Sequence, residues 1–170
     1  MKKTLVLHSS VDGHTIGICE KIASALSGDV KLLAIQEPAV DLSGYDKIVI
    51  GASIRYGRHR KEVINYVLRN KGALTPEKSA FFSVNAVARK EGKDTPTGNP
   101  YVRKFLQKTS WNPGIVGVFA GRIDYPKYGF VDRFAIKLIM RITGGPTDTS
   151  SSFEFTDWNR VDDFIKKVNT

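Results

Sequence analysis

The sequence of 170 residues predicts a doubly wound α/β fold, in which helices cover both faces of a parallel β-sheet. Two observations predict it: the strand segments are uninterrupted apolar runs, and they alternate with segments of helical periodicity. The chain contains no repeat, low-complexity tract or linker. A hydrophobic fraction of 41% at this length supports one core. We therefore expect a single domain over residues 1–170, with an insertion at about 122–152.

The first half of the chain predicts three strands and two helices. The strand segments are apolar on both faces, as in buried parallel sheets: TLVLHS (4–9), DVKLLAI (29–35) and KIVIGASI (47–54). Helices are predicted over 14–27 and 60–70, where apolar residues recur every three or four positions.

The second half adds two strands and two helices to this pattern. Apolar runs predict strands at SAFFSVN (79–85) and GIVGVFAG (114–121), and helical periodicity predicts helices over 99–109 and 157–168, the last capped by Asp157. Five parallel strands joined by helices favour the strand order 2-1-3-4-5 of flavodoxin-like folds.

The loop SSVDGHT follows the first strand and is a candidate phosphate site. In open α/β sheets a ligand lies beyond the carboxyl ends of the strands where the strand order reverses, here between strands 1 and 3. Free amides at the start of the next helix, with hydroxyls of Ser9, Ser10 and Thr15, can hold a phosphate, and Gly13 allows close approach. We expect Asp12 to turn away and cap the helix. The alternative is an ordinary capped turn.

The charge and residue types exclude several classes of partner. Lysine and arginine number 26 against 17 acidic residues, and this net charge of +9 favours phosphates, carboxylated substrates or anionic lipid surfaces. Basic residues are not interleaved with aromatic ones as in an RNA-binding motif, so no nucleic acid is expected. Three histidines without ligand spacing predict no metal site. A single cysteine, Cys19, is expected to be buried in a helix.

The predicted insertion contains a basic and apolar helix. Within FVDRFAIKLIMRI (130–142), Arg133, Lys137 and Arg141 are four residues apart and share a helical row, while nearly all other positions are apolar. This pattern suits a membrane interface or an apolar, anionic ligand. The alternative is a helix whose apolar faces pack on the domain while the basic row meets water.

Three segments of the chain resemble known flavoproteins. SSVDGHT resembles the FMN phosphate loop of flavodoxins, whereas GASIRYGRHR (51–60) and SVNAVARKEGKDTP (83–96) resemble the flavin-ring loops of the menaquinone-dependent protoporphyrinogen dehydrogenase family. The similarity continues through YPKYGFVDRFAIKLIMRITGG, TDT and FTDW, and so spans nearly the whole chain. Phe155 differs from the tyrosine often found there, and GRIDYP (121–126) is not the commonest form of its segment.

The resemblance implies an FMN site built from three loops. Tyr56 could stack on the flavin or pack at a strand end, and Asn85 could bond a ring carbonyl or its own turn. Positive charge is expected around the site from Arg55, Arg58, His59, Arg89 and Lys90, each with the alternative of a solvated surface. The residues implied to bind FMN are Ser9, Ser10, Val11, Asp12, Gly13, His14 and Thr15, then Ala52, Ser53, Ile54, Arg55 and Tyr56, and finally Asn85, Ala86, Val87 and Ala88.

The resemblance further implies oxidation of protoporphyrinogen IX in heme biosynthesis, with electrons passed to menaquinone or ubiquinone. Flavin N5 would accept the hydride, and no side chain is assigned as catalytic acid or base. The sequence has no signal-peptide pattern, so we expect a cytoplasmic protein that is peripheral on the inner face of the cell membrane. A flavodoxin-type electron carrier, a general quinone reductase and a cofactor-free binding module are the alternatives. Candidates for contact with substrate or membrane are Arg58, Arg89, Tyr125, Arg133, Lys137 and Arg141.

Overall fold

Five parallel strands form the central sheet within the residues that the computed structural model describes, which are 1–37 and 39–170. Together with a short antiparallel strand β4 beside β3, the strands are β1 Lys3–Ser9, β2 Asp29–Ala34, β3 Lys47–Arg55, β4 Arg58–His59, β5 Ser79–Val84 and β6 Ile115–Phe119. Their order is β2-β1-β3-β5-β6. Counted as parallel strands alone, this is the predicted order 2-1-3-4-5, and the flavodoxin-like fold is confirmed.

Helices cover both faces of the sheet, as the uninterrupted apolar runs predict. They are α1 His14–Ala25, α2 Lys61–Asn70, α3 Pro100–Thr109, α4 Phe130–Thr143 and α5 Trp158–Asn169. Alternate residues of each strand point to opposite faces. In β5, Phe81 packs with α2 and α3, whereas Phe82 packs with α1 and α5. Each face therefore has its own apolar core, and Cys19 is buried in the second, as expected.

The predicted insertion contains a second, two-stranded sheet. Strand β7 (Arg122–Asp124) pairs antiparallel with β8 (Ser152–Glu154), and α4 lies between them in the chain. Residues Ile123, Tyr125, Tyr128 and Met140 form a small apolar cluster beneath α4. The sequence did not predict β7, β8 or β4, because strands of two or three residues are too short to show a periodic pattern.

Side-chain caps begin two of the later helices, α3 and α5. Asp157 accepts a hydrogen bond from the amide of Asn159 at 3.0 Å, so the predicted cap of α5 is confirmed. Asn99 caps α3 by accepting from the amides of Tyr101 and Val102. Among the residues described, no helix has the length and hydrophobicity that crossing a membrane requires.

Candidate functional site

An open cleft of about 900 Å³ lies at the carboxyl ends of β1, β3 and β5, where the strand order reverses. The loops after these strands form one wall, and α4 forms the other. The wall formed by the loops contains residues from all three sequence segments that were expected to bind a cofactor. The principal lining residues are Asp12, His14, Thr15, Ser53, Ile54, Arg55, Tyr56, Asn85, Ala86, Val87, Arg122, Tyr128, Ala135, Ile136, Ile139 and Met140.

The start of α1 presents uncapped amides at this cleft. Gly13 occupies the N-cap position in the left-handed region, with φ of 89°, and has no side chain to cap the helix. The first amides of a helix have no intrahelical acceptor, and the helix dipole makes this end positive. The expectation that Asp12 caps α1 is wrong, because its Oδ1 reaches the His14 amide only at 3.5 Å and glycine takes the cap position.

Thr15 carries a buried hydroxyl with no partner. Its Oγ1 is the only buried side-chain nitrogen or oxygen without a hydrogen bond among the residues that the structure describes. Leaving such a group unpaired costs about 1–3 kcal/mol. A hydroxyl and free amides facing one space suit the oxygen atoms of a phosphate. The donor set of this loop therefore fits the phosphate of a nucleotide cofactor.

The other two hydroxyls expected at the phosphate, those of Ser9 and Ser10, form hydrogen bonds within the protein. Ser9 donates to Oε1 of Glu62 at 2.9 Å, and Ser10 Oγ accepts from the amide of Gly13 at 3.1 Å. Arg60 ties the same loop to α2 by donating to the carbonyl of Ser10 at 2.8 Å. Ser9 thus uses its proton within the protein, whereas the hydroxyls of Ser10 and Thr15 donate to no group in the described residues and can meet a ligand.

His14 lines the cleft beside Thr15 and bonds within the protein. Its Nε2 lies 2.7 Å from Oγ1 of Thr156, which itself donates to the carbonyl of Ala120 at 2.8 Å. Because Thr156 uses its own proton there, His14 must donate from Nε2. Burial lowers the pKa of His14, which favours the neutral ring. Val11 lies in the same loop, with an exposed side chain.

The loop after β3 is held by an acidic residue of α4. Asp132 accepts from Nη2 of Arg55 at 2.6 Å and from the hydroxyl of Tyr56. The bond from Tyr56 lowers the pKa of Asp132, and the same bond raises the pKa of Tyr56. Tyr56 has a left-handed backbone with φ of 49°, and 62% of it is exposed. The loop thus offers an accessible aromatic ring that is fixed at its hydroxyl.

The sequence analysis did not select Asp132. A signal for it exists, because Asp132 is the only acidic residue in the basic and apolar segment 130–142. Its partners Arg55 and Tyr56 are 77 and 76 positions away in the chain. Only the fold brings them together.

The loop after β5 places Asn85 in its own turn. Oδ1 of Asn85 accepts from the amide of Ala88 at 3.1 Å and from Nδ2 of Asn99 at 2.9 Å. The carbonyl oxygen of Asn85 therefore caps its own turn, and a bond to a ring carbonyl, which the amide N–H would donate, stays a prediction. Ala86 and Val87 line the cleft, whereas Ala88, like Ala52 within β3, is packed in the core beneath it.

His59 is a core residue, and the expectation that it adds positive charge at the cleft is wrong. Because β4 pairs with β3, the ring turns inward and packs against Phe81 and Phe105, with 3% of the residue exposed. Nε2 lies 2.9 Å from Oγ of Ser83. Burial lowers the pKa of His59 to about 3, so the ring is neutral.

The low pKa of His59 predicts a pH-dependent stability. Unfolded histidine has a pKa near 6.5, so below that pH the unfolded chain takes up a proton that the folded protein refuses. The stabilisation is complete above pH 6.5 and is lost as pH falls towards 3. From pH 6.5 to 5, we expect the unfolding free energy to fall about 2 kcal/mol more than in H59F, measured by urea denaturation. Parallel pH profiles for the two proteins would contradict this assignment.

Two candidates for substrate or membrane contact bond to backbone carbonyls within the protein. Tyr125 is fully buried and donates to the carbonyl of Pro146 at 2.7 Å, so a surface role for it is wrong. Arg133 donates to the carbonyls of Tyr125 and Tyr128 at 3.2 and 3.3 Å. The predicted row of three cations therefore retains two exposed members, Lys137 and Arg141.

The remaining two candidates, Arg58 and Arg89, differ in whether their guanidinium groups bond within the protein. Arg58 is exposed on β4, next to the loop that holds Tyr56. Arg89 donates to the carbonyls of Ala86 and Thr143 at 2.8 and 3.1 Å, and so joins the β5 loop to the end of α4. Arg89 acts in the structure as a tie for α4 rather than as a free charge.

The outer side of α4 is apolar and exposed. Exposure reaches 86% at Phe130, 65% at Phe134 and 77% at Ile142. The alternative that the apolar faces of α4 pack on the domain is wrong for this side, because the inner side already supplies the wall of the cleft and only Met140 is fully buried. Val131 and Leu138 add to the exposed apolar surface.

The two departures from the family pattern differ in their consequences. Phe155 packs against the core clusters and does not line the cleft. The segment GRIDYP contributes Gly121, Arg122 and Ile123 to the lining. The guanidinium of Arg122 is paired with Asp124 at 2.9 Å. Only the second departure therefore reaches the ligand-facing surface.

Comparison with known proteins identifies the family of this chain. The family model described as Flavodoxin domain matches residues 5–150. A Leishmania major protein named protoporphyrinogen IX dehydrogenase (quinone) is 46% identical over 164 residues, covering 94% of this chain and 71% of its own. An Escherichia coli K12 protein of the same name is 42% identical over 174 residues, covering 98% of this chain and 94% of its own.

Among solved structures, the rubredoxin oxygen:oxidoreductase of Desulfovibrio gigas shares the fold, with a TM-score of 0.54 at 12% identity. The alignment covers 98% of this chain and 35% of that one. The family resemblance read from the sequence is confirmed by the two curated relatives. The chain therefore belongs to the flavodoxin domain family, together with the proteins named protoporphyrinogen IX dehydrogenase (quinone).

Proposed function

We propose that this protein is an FMN-dependent oxidoreductase that oxidises protoporphyrinogen IX to protoporphyrin IX in heme biosynthesis and passes the electrons to menaquinone or ubiquinone. One observation carries the proposal: the unpartnered, buried hydroxyl of Thr15 beside uncapped helix amides, in a cleft whose opposite wall is apolar. The names of the two curated relatives support the choice of substrate and acceptor.

Different residues of the cleft hold the phosphate and the ring of the cofactor. The hydroxyl of Thr15 and the first amides of α1 hold the phosphate, where the positive end of the helix favours a dianion. The loops 53–57 and 84–87 receive the flavin ring, and Tyr56 supplies an aromatic surface beside it. Bound FMN supplies a hydride acceptor at N5 and a route for electrons to a quinone.

The inner side of α4 forms the substrate side of the cleft. Ala135, Ile136, Ile139 and Met140 give an apolar wall that excludes water and suits a flat macrocycle. Arg58 lies exposed nearby and can pair with a propionate of the substrate, whereas Arg55 and Arg122, which line the cleft, are already paired with Asp132 and Asp124. The protein's part is to bind, orient and shield the reactants, and no acid or base side chain is assigned.

The outer side of α4 is proposed to contact the inner face of the cell membrane, where the quinone resides. Exposed apolar residues at Phe130, Phe134 and Ile142 lie on the same helix as the exposed cations Lys137 and Arg141. Such a helix lies in the interface of a bilayer with anionic lipids. A cytoplasmic, peripheral location follows, with the cleft close to the bilayer.

The proposal is tested by spectroscopy and an anaerobic assay. The purified protein, reconstituted with FMN, should show a flavin spectrum and convert protoporphyrinogen IX to fluorescent porphyrin only when a quinone is added. Quinone reduction by other donors without porphyrin formation would assign a general quinone reductase. Electron shuttling with neither activity would assign a carrier. A protein that takes up no FMN would overturn the proposal altogether.

A further inference from the structure

We infer that His59 and Ser83 are positioning residues that hold the side-chain amide of Asn85 with one N–H free for the flavin ring. The inference rests on the proposed function and extends it to two residues that lie below the floor of the cleft. His59 and Ser83 do not line the cleft, whereas Asn85 does. Their effect on a bound ring would therefore pass through Asn85.

A continuous chain of hydrogen bonds connects the core to the cleft. Nε2 of His59 lies 2.9 Å from Oγ of Ser83, and Nδ2 of Asn85 lies 3.1 Å from the same oxygen. Asn99 adds a further bond, from its Nδ2 to Oδ1 of Asn85 at 2.9 Å. All four residues are buried. The chain thus runs from the aromatic core around Phe81 to the loop after β5.

The donors and acceptors of this network determine its orientation. Oδ1 of Asn85 accepts two N–H groups, from Ala88 and Asn99, so the amide cannot be flipped without losing both bonds. Nδ2 must then donate to Ser83. Since Ser83 Oγ accepts that bond and lies beside His59, its own proton is satisfied by donating to Nε2 of His59. This donation uses the neutral tautomer of His59 that carries its proton on Nδ1, and burial of the ring favours the neutral form.

One N–H bond of the Asn85 side-chain amide has no acceptor within this network. An amide nitrogen carries two N–H bonds, and Ser83 accepts one of them. Asn85 is the member of the network that lines the cleft, and we infer that its other N–H is directed there. A flavin ring carries carbonyl and nitrogen acceptors at its edge, and a donor there stabilises the electron-rich reduced ring more than the oxidised one.

Packing alone does not explain why position 59 is a histidine. The ring lies 4.7 Å from the ring of Phe105 and 5.6 Å from that of Phe81, so an apolar aromatic side chain would suit the same space. A buried polar network has a desolvation cost, and every member must be satisfied to offset it. Phenylalanine could fill this space but could not form the hydrogen bond that connects His59 to Ser83.

The matched control is available on the same strand. Ser79 and Ser83 are both buried in β5, but Ser79 donates to the carbonyls of Leu74 and Thr75 at the opposite end of the strand. S79A and S83A therefore each remove one buried hydroxyl, and only S83A breaks the connection to Asn85. H59F breaks the same connection from its other end, and H59Q keeps an acceptor for Ser83.

The test measures the redox potential and visible spectrum of bound FMN in the holoprotein. In S83A and H59F we expect reduced FMN to bind about tenfold more weakly relative to oxidised FMN, seen as a lower potential, because a fixed donor is lost. H59Q and S79A should keep the native potential. Native potentials and spectra in both S83A and H59F would overturn the inference while leaving the proposed function intact. Failure of the native protein to bind FMN would overturn both.

Discussion

Replacing Thr15 with valine should weaken FMN binding about ten- to hundredfold while making the protein without cofactor more stable. Valine matches threonine in shape and removes the one unpartnered buried hydroxyl in the described residues. Its removal relieves a cost of about 1–3 kcal/mol in the cofactor-free protein. The same change removes a charge-assisted hydrogen bond to the phosphate, which is worth about 1.5–3 kcal/mol. Flavin fluorescence titration and thermal unfolding measure the two effects.

Two further substitutions at the same position control this result. T15S keeps the hydroxyl and should keep most of the FMN affinity. T15E places a carboxylate where the phosphate is bound and should abolish binding, because two like charges would share a buried site. Equal FMN affinity in T15V and the native protein, or a lower melting temperature of cofactor-free T15V, would show that Thr15 serves packing alone.

Replacing Phe134 and Leu138 together with serine should release the protein from anionic vesicles. Both side chains are exposed on the outer side of α4, so the substitutions remove no packing from the core. Burying one such side chain in lipid is worth about 1.5–3 kcal/mol, so the double variant should bind at least about a hundredfold more weakly. Vesicle sedimentation with phosphatidylserine and phosphatidylcholine measures the binding.

Charge reversal separates the electrostatic part of this contact. K137E and R141E together should weaken binding to anionic vesicles about tenfold or more, since each cation near the surface contributes about 1 kcal/mol. Arg133 is left unchanged, because it supports the backbone of Tyr125 and Tyr128. Reversal of Arg103 and Lys104, which are exposed on α3, alters the net charge equally and should have a smaller effect. Equal binding by all these variants would exclude α4 from the membrane.

The sheet, and the position of the loop SSVDGHT at its carboxyl edge, were predictable because local patterns determine them. Residues 47–54 are apolar at nearly every position, and a strand of this kind is stable only between two layers of helices. Gly13 and Thr15 stand at a strand-to-helix turn, and the general rule for such sheets places a ligand there. The sequence could not show that Thr15 keeps its hydroxyl free while Ser9 does not, because the partner of Ser9 is Glu62 from another helix.

The errors concern residues whose environment is set by distant parts of the chain. His59 looked like a surface cation because it stands among Arg58 and Arg60, but pairing of β4 with β3 turns its side chain into the core. Tyr125 looked accessible within the insertion, yet it fills the space beneath α4. Neither the short strand β4 nor the path of the insertion leaves a periodic signal in the sequence.

Binding of FMN and riboflavin to the cofactor-free protein tests the central claim most directly. The two ligands share the flavin ring and differ in the phosphate, which we place against Thr15 and the first amides of α1. Isothermal titration should show FMN bound at least about a hundredfold more tightly than riboflavin, because several charge-assisted hydrogen bonds depend on the phosphate. Equal affinities for the two ligands would contradict the phosphate site and the function built on it.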